Sequence, residues 1–261
     1  DPNSFGQKSI KERFLSIFAG PMANIILCIV LLIPFFFVIG TPSTTFGKVI
    51  PNSPSYKVGL KADDKILSID NNKVDSFNEM RSMITKSNGK ELDIKYERNG
   101  KTQEVTVLPE KSAGKYVIGI QPKNEKNPTK AISQAFYSTY EISKTMLKFL
   151  WQLVTGQLSG NITNSLAGPV GVINMVSSAA SSGFINLIYL TAIISLNIGI
   201  MNLLPLPALD GWRILMLIVE SIRGGKKLPA KIEGYINGAG LFVLLAFMVF
   251  ITYKDIIRLF A

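Results

Sequence analysis

The 261-residue chain contains no histidine. That single absence removes serine-histidine and cysteine-histidine catalysis, and every histidine-ligated metal site, from this polypeptide as given. Cysteine is nearly absent too. Cys28 stands alone within an apolar run, which excludes a disulfide framework and a cysteine zinc site and leaves packing as its role. Acidic residues are scarce: 18 Asp and Glu against 28 Lys and Arg give a net charge of +10. Those basic residues are spread over a polar middle and the flanks of apolar runs without forming a dense tract, so the charge does not point to nucleic acid as a partner. The chain opens on Asp1, not Met, and reads as a piece of something longer, with no signal peptide to interpret.

Apolar sequence is plentiful. Hydrophobic residues make up 47% of the chain, and the mean hydropathy of +0.28 is high for a domain that must carry a charged surface. Residues 22–41 carry no charge, and at ~1.5 Å rise each they cover roughly the 30 Å of a bilayer core. Gly20-Pro21 is expected to open this first span and Pro34 to bend it. Asn24 is a polar group that needs a partner at membrane depth, or else, with Gly20, marks close helix packing. Residues 183–204 form a second span, with Asn197 and Asn202 as its inward-facing polar candidates, and residues 235–253 a third. Lys8, Lys11 and Arg13 precede the first span, while Arg213, Arg223, Lys226, Lys227 and Lys231 lie between the second and third. The positive-inside rule places both groups in the cytoplasm and the polar middle outside, an in-out-in-out path through the lipid bilayer.

The middle of the chain changes period. Residues 48–50 and 65–69 read as strands, the first followed by a Pro51-Asn-Ser-Pro54 turn. Ser76 and Glu79 fit a capping box ahead of a helix with Phe77, Met80, Met83 and Ile84 on one face. Leu92, Ile94 and Tyr96 alternate with polar residues, Asn99-Gly100 is a strong hairpin signal, and Val105 and Val107 continue the pattern. Residues 116–120 are expected to give a last strand and residues 122–128 a polar linker. Residues 132–154 follow as one amphipathic helix, placed on the membrane surface with Trp151 at headgroup level or packed on the strand-rich domain. Residues 156–182, rich in Gly, Ser and Asn, read as a loop around a short helix.

The stretch Asn202-Leu-Leu-Pro-Leu-Pro-Ala-Leu-Asp-Gly-Trp212 organises the rest. It sets Asp210 at the end of an uncharged run, where an ionised carboxylate costs several kcal/mol unless something pairs with it. Pro205 and Pro207 break the helix there, and irregular backbone at such depth is tolerated only against protein or a wet cavity. The alternative is a plain structural one: Asp210 as the N-cap of a helix running through Trp212, Ile214, Leu215 and Leu217.

Two resemblances follow from these residues. The segment Val49-Ile-Pro-Asn-Ser-Pro-Ser-Tyr-Lys-Val-Gly-Leu-Lys-Ala-Asp-Asp-Lys-Ile-Leu-Ser-Ile69 resembles a bacterial PDZ domain. That likeness implies a peptide sensor or substrate gate, or a structural plug over a membrane cavity. Ala19-Gly-Pro-Met-Ala-Asn24, that domain, Gly168-Pro-Val-Gly171 and the Asn-x-x-Pro-x-Pro-x-Leu-Asp-Gly loop resemble, in order, the site-2 protease family of RseP-like intramembrane zinc metalloproteases. The implied fold is an α-helical polytopic membrane protein with an inserted α+β PDZ-like domain. Its expected parts are residues 1–41, a basic segment and first transmembrane helix; 42–121, the PDZ-like domain; 122–182, linker, amphipathic helix and loop; and 183–261, the C-terminal membrane core.

The resemblance further implies Zn²⁺ as cofactor, with Asp210 as its third ligand. It implies Asn202, Pro205 and Pro207 in the loop that holds the substrate strand, and Asn24 near the same cavity. The substrate implied is a membrane protein, a single-pass regulator or a signal peptide, cut within the inner membrane of a bacterium, with the PDZ-like domain on the extracytoplasmic side. The family's other ligands and its general base come from a His-Glu-x-x-His helix ahead of the Gly-Pro-x-x-Asn span, and that helix is not in this chain. No catalytic residue is therefore assigned here, and this polypeptide alone is expected to bind zinc poorly and to be inactive. Trp212 stands where the family commonly carries glycine. The rival expectation is a non-catalytic membrane scaffold whose PDZ-like domain captures peptides.

Overall fold

The computed structural model describes residues 8–157, 168–226 and 229–260. Leu166, Ala167 and Lys227, and residues 158–167 of the expected Gly/Ser-rich loop, lie outside that set. The chain divides into two compact units, one of them Phe36–Ala131 and the other formed by the chain before and after it.

The Phe36–Ala131 unit is built on an antiparallel sheet, because its sequence alternates with period two. Its strands are β1 (Thr41–Val49), β2 (Lys65–Ile69), β3 (Asn72–Lys73), β4 (Leu92–Arg98), β5 (Lys101–Val107) and β8 (Ile120–Glu125), in the order β5-β4-β2-β1-β8 with β3 on β2. Leu92, Ile94 and Tyr96 point inward, as do Val107, Ile66 and Ile69. Asn99 and Gly100 adopt left-handed φ of 52° and 75°, the pair required for a tight hairpin that keeps Arg98 opposite Lys101. Helix α3 (Phe77–Lys86) starts where Ser76 Oγ accepts from Glu79 N–H at 3.2 Å, while the Glu79 carboxylate reaches back to Asp75 N–H at 3.0 Å. Met80 and Ile84 of α3 fill the core over the sheet. A short helix α2 (Pro54–Lys57), capped by Ser53, occupies the expected turn. Asp64 is fully buried and is satisfied by Lys61 N–H and a two-pronged contact from Arg98, which holds the guanidinium firmly protonated, above its ordinary range.

Two expectations need correction in this unit. The segment at residues 116–120 does not form one last strand: β7 (Lys115–Val117) pairs with β6 (Glu110–Ser112) as a separate hairpin. The closing strand is β8, which takes in residues expected to be linker and pairs with β1 from Val49–Ile120 to Thr41–Glu125. Pro122 sits there without cost because β8 is an edge strand, where a missing N–H breaks no ladder.

The other unit is helical: α1 (Ile10–Ile39), α4 (Pro128–Val154), α5 (Pro169–Ser181), α6 (Phe184–Asn202), α7 (Asp210–Ile222) and α8 (Ala230–Phe260). Three of them, Ile10–Ile39, Phe184–Asn202 and Lys231–Ile257, are long and apolar enough to cross a membrane. The first helix begins well before the uncharged run does, and Pro21 lies inside it, not at its opening. Charge interrupts hydropathy without interrupting the backbone ladder, and Pro21 removes a single donor. Helix α4 packs through its small side: Ala135 and Thr139 are buried, with Thr139 Oγ1 3.7 Å from Cys28 Sγ of α1. Its bulky stripe of Phe136, Tyr140, Leu147, Trp151 and Val154 faces outward. At the far end, Asp255 of α8 is buried and accepts from Gly171 N–H at 2.8 Å, joining the start of α5 to α8.

Candidate metal-binding loop

Helix α6 packs on α1 where small residues let the backbones meet. A Cβ on Gly199 would stand 3.0 Å from Pro21 O and 3.2 Å from Asn24 Cβ, and Ser195 Oγ donates to Asn24 O at 2.9 Å. Asn24 is half-buried on α1, one turn from Gly20 and therefore on the same face. Asn202 is the last residue of α6 and half-buried; Asn197, expected to face inward as well, is exposed.

Residues 203–209 are non-helical. Leu209 N–H donates to Leu206 O at 3.1 Å, closing a turn with Pro207 at its second position and Ala208 at its third, with φ of 75°. A proline followed by a left-handed residue is the signature of a type II turn, and the third position normally asks for glycine. Here a side chain from α8 stabilises it instead: Asn237 Oδ1 accepts from Ala208 N–H at 3.2 Å. Pro207 rests on Gly240 of the same helix, where a Cβ would come within 2.4 Å of Pro207 Cβ. Pro205 and Leu206 are exposed. Neither Asn237 nor Gly240 stands out from sequence reasoning; the available signal was a polar residue and a glycine inside an apolar span.

Asp210 is the first residue of α7, and this placement bears on the capping alternative. The N-cap is Leu209, and no side chain caps the helix. Asp210 therefore does not perform the capping that was its structural alternative. Its side chain is half-buried and turned toward α1, with Oδ2 3.7 Å from the position a Cβ would take on Gly20. Among the described residues no hydrogen bond or ion pair holds that carboxylate. Gly211 follows with no room to spare: a Cβ there would stand 2.3 Å from both Leu203 O and Leu204 O. The loop thus folds back on the start of α7 and fixes where the carboxylate emerges. At the opposite end of α7, Glu220 is buried and takes both arms of the Arg13 guanidinium of α1.

A half-buried carboxylate without a hydrogen-bond or ion-pair partner among the described residues, on a helix N-terminus and beside a glycine face, suits one corner of a metal site. It is only one corner: among the described residues no group of three or more His, Cys, Asp or Glu is arranged to hold a metal ion. Nor does Trp212 add a donor contact, its buried indole N–H finding no partner among the described residues.

Three membrane-length helices, all of them meeting the proline-broken loop that carries Asp210, define a helical membrane-protein class. The chain belongs to Peptidase family M50, the site-2 proteases, whose family description matches residues 1–247. It is 36% identical over 98% of its length to the regulator of sigma-W protease RasP of Bacillus subtilis, and 34% identical over 98% to the zinc metalloprotease RasP of Oceanobacillus iheyensis. The chain spans 61% and 62% of those two relatives. A putative zinc metalloprotease of Clostridium acetobutylicum is 36% identical over 98% of the chain and 76% of its own length. Among solved structures, the PDZ domain of an SdrC-like protein from Listeria monocytogenes matches 31% of this chain and 87% of its own, at 24% identity and a TM-score of 0.29.

Proposed function

We propose that this chain supplies the third zinc ligand and the substrate-holding loop of an intramembrane zinc metalloprotease that cuts transmembrane segments of membrane-anchored regulators or signal peptides. One observation carries the reading: Asp210 is kept half-buried with no capping duty and with no hydrogen-bond or ion-pair partner among the described residues. An unpaired carboxylate in such surroundings is costly, and a doubly charged cation compensates it. Membership of a peptidase family and relatives named zinc metalloproteases support the same conclusion. Zinc, when bound, supplies Lewis acidity and activates water. This chain's residues do the rest: Asp210 holds one coordination position, and Gly211 and the Pro207–Gly240 contact fix its direction. Asn202, Pro205 and Pro207 shape the strand-holding loop, with Asn24 on the adjoining face of α1. The reading requires two more ligands that these 261 residues, without histidine, do not supply. The full-length protein is therefore expected to retain about one zinc per molecule and to cleave a transmembrane peptide in a chelator-sensitive way, while the 261 residues alone do neither. Zinc-dependent proteolysis by the isolated chain refutes the assignment.

A second element of the proposal concerns the Phe36–Ala131 unit, read as a PDZ-like peptide sensor outside a bacterial inner membrane. Strand β8 ends the sheet, and beside it Phe77, Met80 and Ile84 of α3 face Ile118 and Ile120 across a small apolar groove of about 70 Å³. An extended peptide added to that edge places an apolar side chain there. Phe77→Ala is expected to weaken binding of an apolar peptide roughly tenfold, since the ring contributes about 1–2 kcal/mol of buried contact. Titration on right-side-out vesicles checks groove and orientation together; unchanged affinity removes the groove, and binding confined to inverted vesicles reverses the topology.

A further inference from the structure

Arg13 and Glu220 form a close, two-pronged charged contact in the helical unit. Nη1 donates to Oε2 at 2.9 Å and Nη2 to Oε1 at 2.6 Å, with side chains only 8% and 9% exposed. The third guanidinium donor, Nε, is held by Lys8 O at 3.1 Å. Burying two charges costs about as much as their attraction returns, so such a pair is a poor source of stability. What it supplies is geometry. The planar fork meets a carboxylate in one register and one rotation, whereas an apolar contact tolerates sliding.

The place of this fork gives that geometry a purpose. Arg13 and Gly20 are two helical turns apart, so they lie on one face of α1. Asp210 stands at the first residue of α7 and Glu220 in its last turn. Helix α7 therefore runs antiparallel along that face: its start lies beside Gly20, and its end is held by the fork. The loop alone fixes only the first end, about which a helix can still tilt and turn. A slide of one residue moves a helix by ~1.5 Å, and misplacement of a reacting group by ~1 Å is enough to cost roughly 10²-fold in rate.

We propose that the Arg13–Glu220 fork is a positioning device that sets the depth and rotation of α7 and thereby aims the Asp210 carboxylate. This rests on the reading of Asp210 as a zinc ligand. The test uses the full-length protein in bilayers and two changes: the apolar double variant Arg13→Met/Glu220→Leu, which keeps volume without charge, and Arg13→Lys, which keeps charge without the fork. Three quantities are measured for each: the melting temperature, Zn²⁺ retention against a competing chelator, and kcat with KM on a transmembrane peptide. Melting within a few degrees of wild type is expected for the double variant, with roughly 10–100-fold weaker zinc retention, the cost seen when outer-shell support is lost. In both variants kcat falls and KM holds. Wild-type zinc retention and kcat in the double variant overturn the proposal, as does a loss that only tracks unfolding in both variants. Asp210→Ala, run alongside, separates the two claims. If it keeps zinc, the ligand reading fails whatever the fork does; if it loses zinc while the double variant retains it, only the positioning role fails.

Discussion

In the full-length protein, Asp210→Ala is expected to abolish peptide cleavage while leaving the metal-free protein as stable as before, or slightly more so. The direction of the second effect follows from what the carboxylate does not do. It caps no helix, and no hydrogen bond or ion pair among the described residues depends on it. Removing it takes away a half-buried charge without stranding a partner, so the usual penalty for breaking a buried pair is absent. The loss of activity should exceed the ~10²–10³-fold that follows removal of one transition-state hydrogen-bond donor, because a metal ligand supports binding and reaction alike. Melting with and without chelator separates the two effects. Wild-type protein is stabilised by any ligand that binds the native state alone, in proportion to the logarithm of its saturation. Its melting temperature should fall on chelation, and that of the Ala variant should not move. Near-wild-type turnover by the variant ends the assignment.

The sequence carried most of the strand-rich unit, because a sheet with one buried face writes its register into every second residue. Leu92, Ile94 and Tyr96 all point inward, and Asn99-Gly100 forms the turn its φ angles demand. Strand β8 was illegible because its pattern is interrupted by Pro122, and only its position at the sheet edge makes that proline harmless. In the helical unit, hydropathy located the three long helices but misjudged where α1 starts. Lys11, Glu12 and Arg13 look like an end to anything apolar, yet Arg13 is buried because Glu220, far along the chain, meets it. Asn197 and Asn202 have equal claims as letters; packing of α6 exposes the first and leaves the second at the loop. The loop's proline spacing and Asp210 were readable, since proline and charge are local signals. Their supports, Asn237 and Gly240, were not, because contacts across distant helices leave no periodic trace.

Gly211→Ala should be the most damaging single methyl group in the loop that carries Asp210. The added carbon would stand 2.3 Å from two carbonyl oxygens, Leu203 O and Leu204 O, well inside the contact distance of any real Cβ. Neither oxygen can rotate aside as a side chain does, so either the loop or the first turn of α7 must shift. Overpacking of this kind costs typically about 1–3 kcal/mol, and a shift near 1 Å in the adjoining Asp210 should take away a further ~10²-fold in activity. The substitution therefore lowers both turnover and the melting temperature of the metal-free protein, whereas Asp210→Ala lowers turnover and leaves the metal-free melting temperature in place. Ala208→Gly, two residues before the carboxylate, provides the control in the same loop. Its φ of 75° is one that glycine adopts freely and alanine does not, so this change relieves strain of about 1–2 kcal/mol against a smaller entropic cost, and activity should survive. If Gly211→Ala is as benign as Ala208→Gly, then the loop does not press on α7 and cannot be what aims the carboxylate.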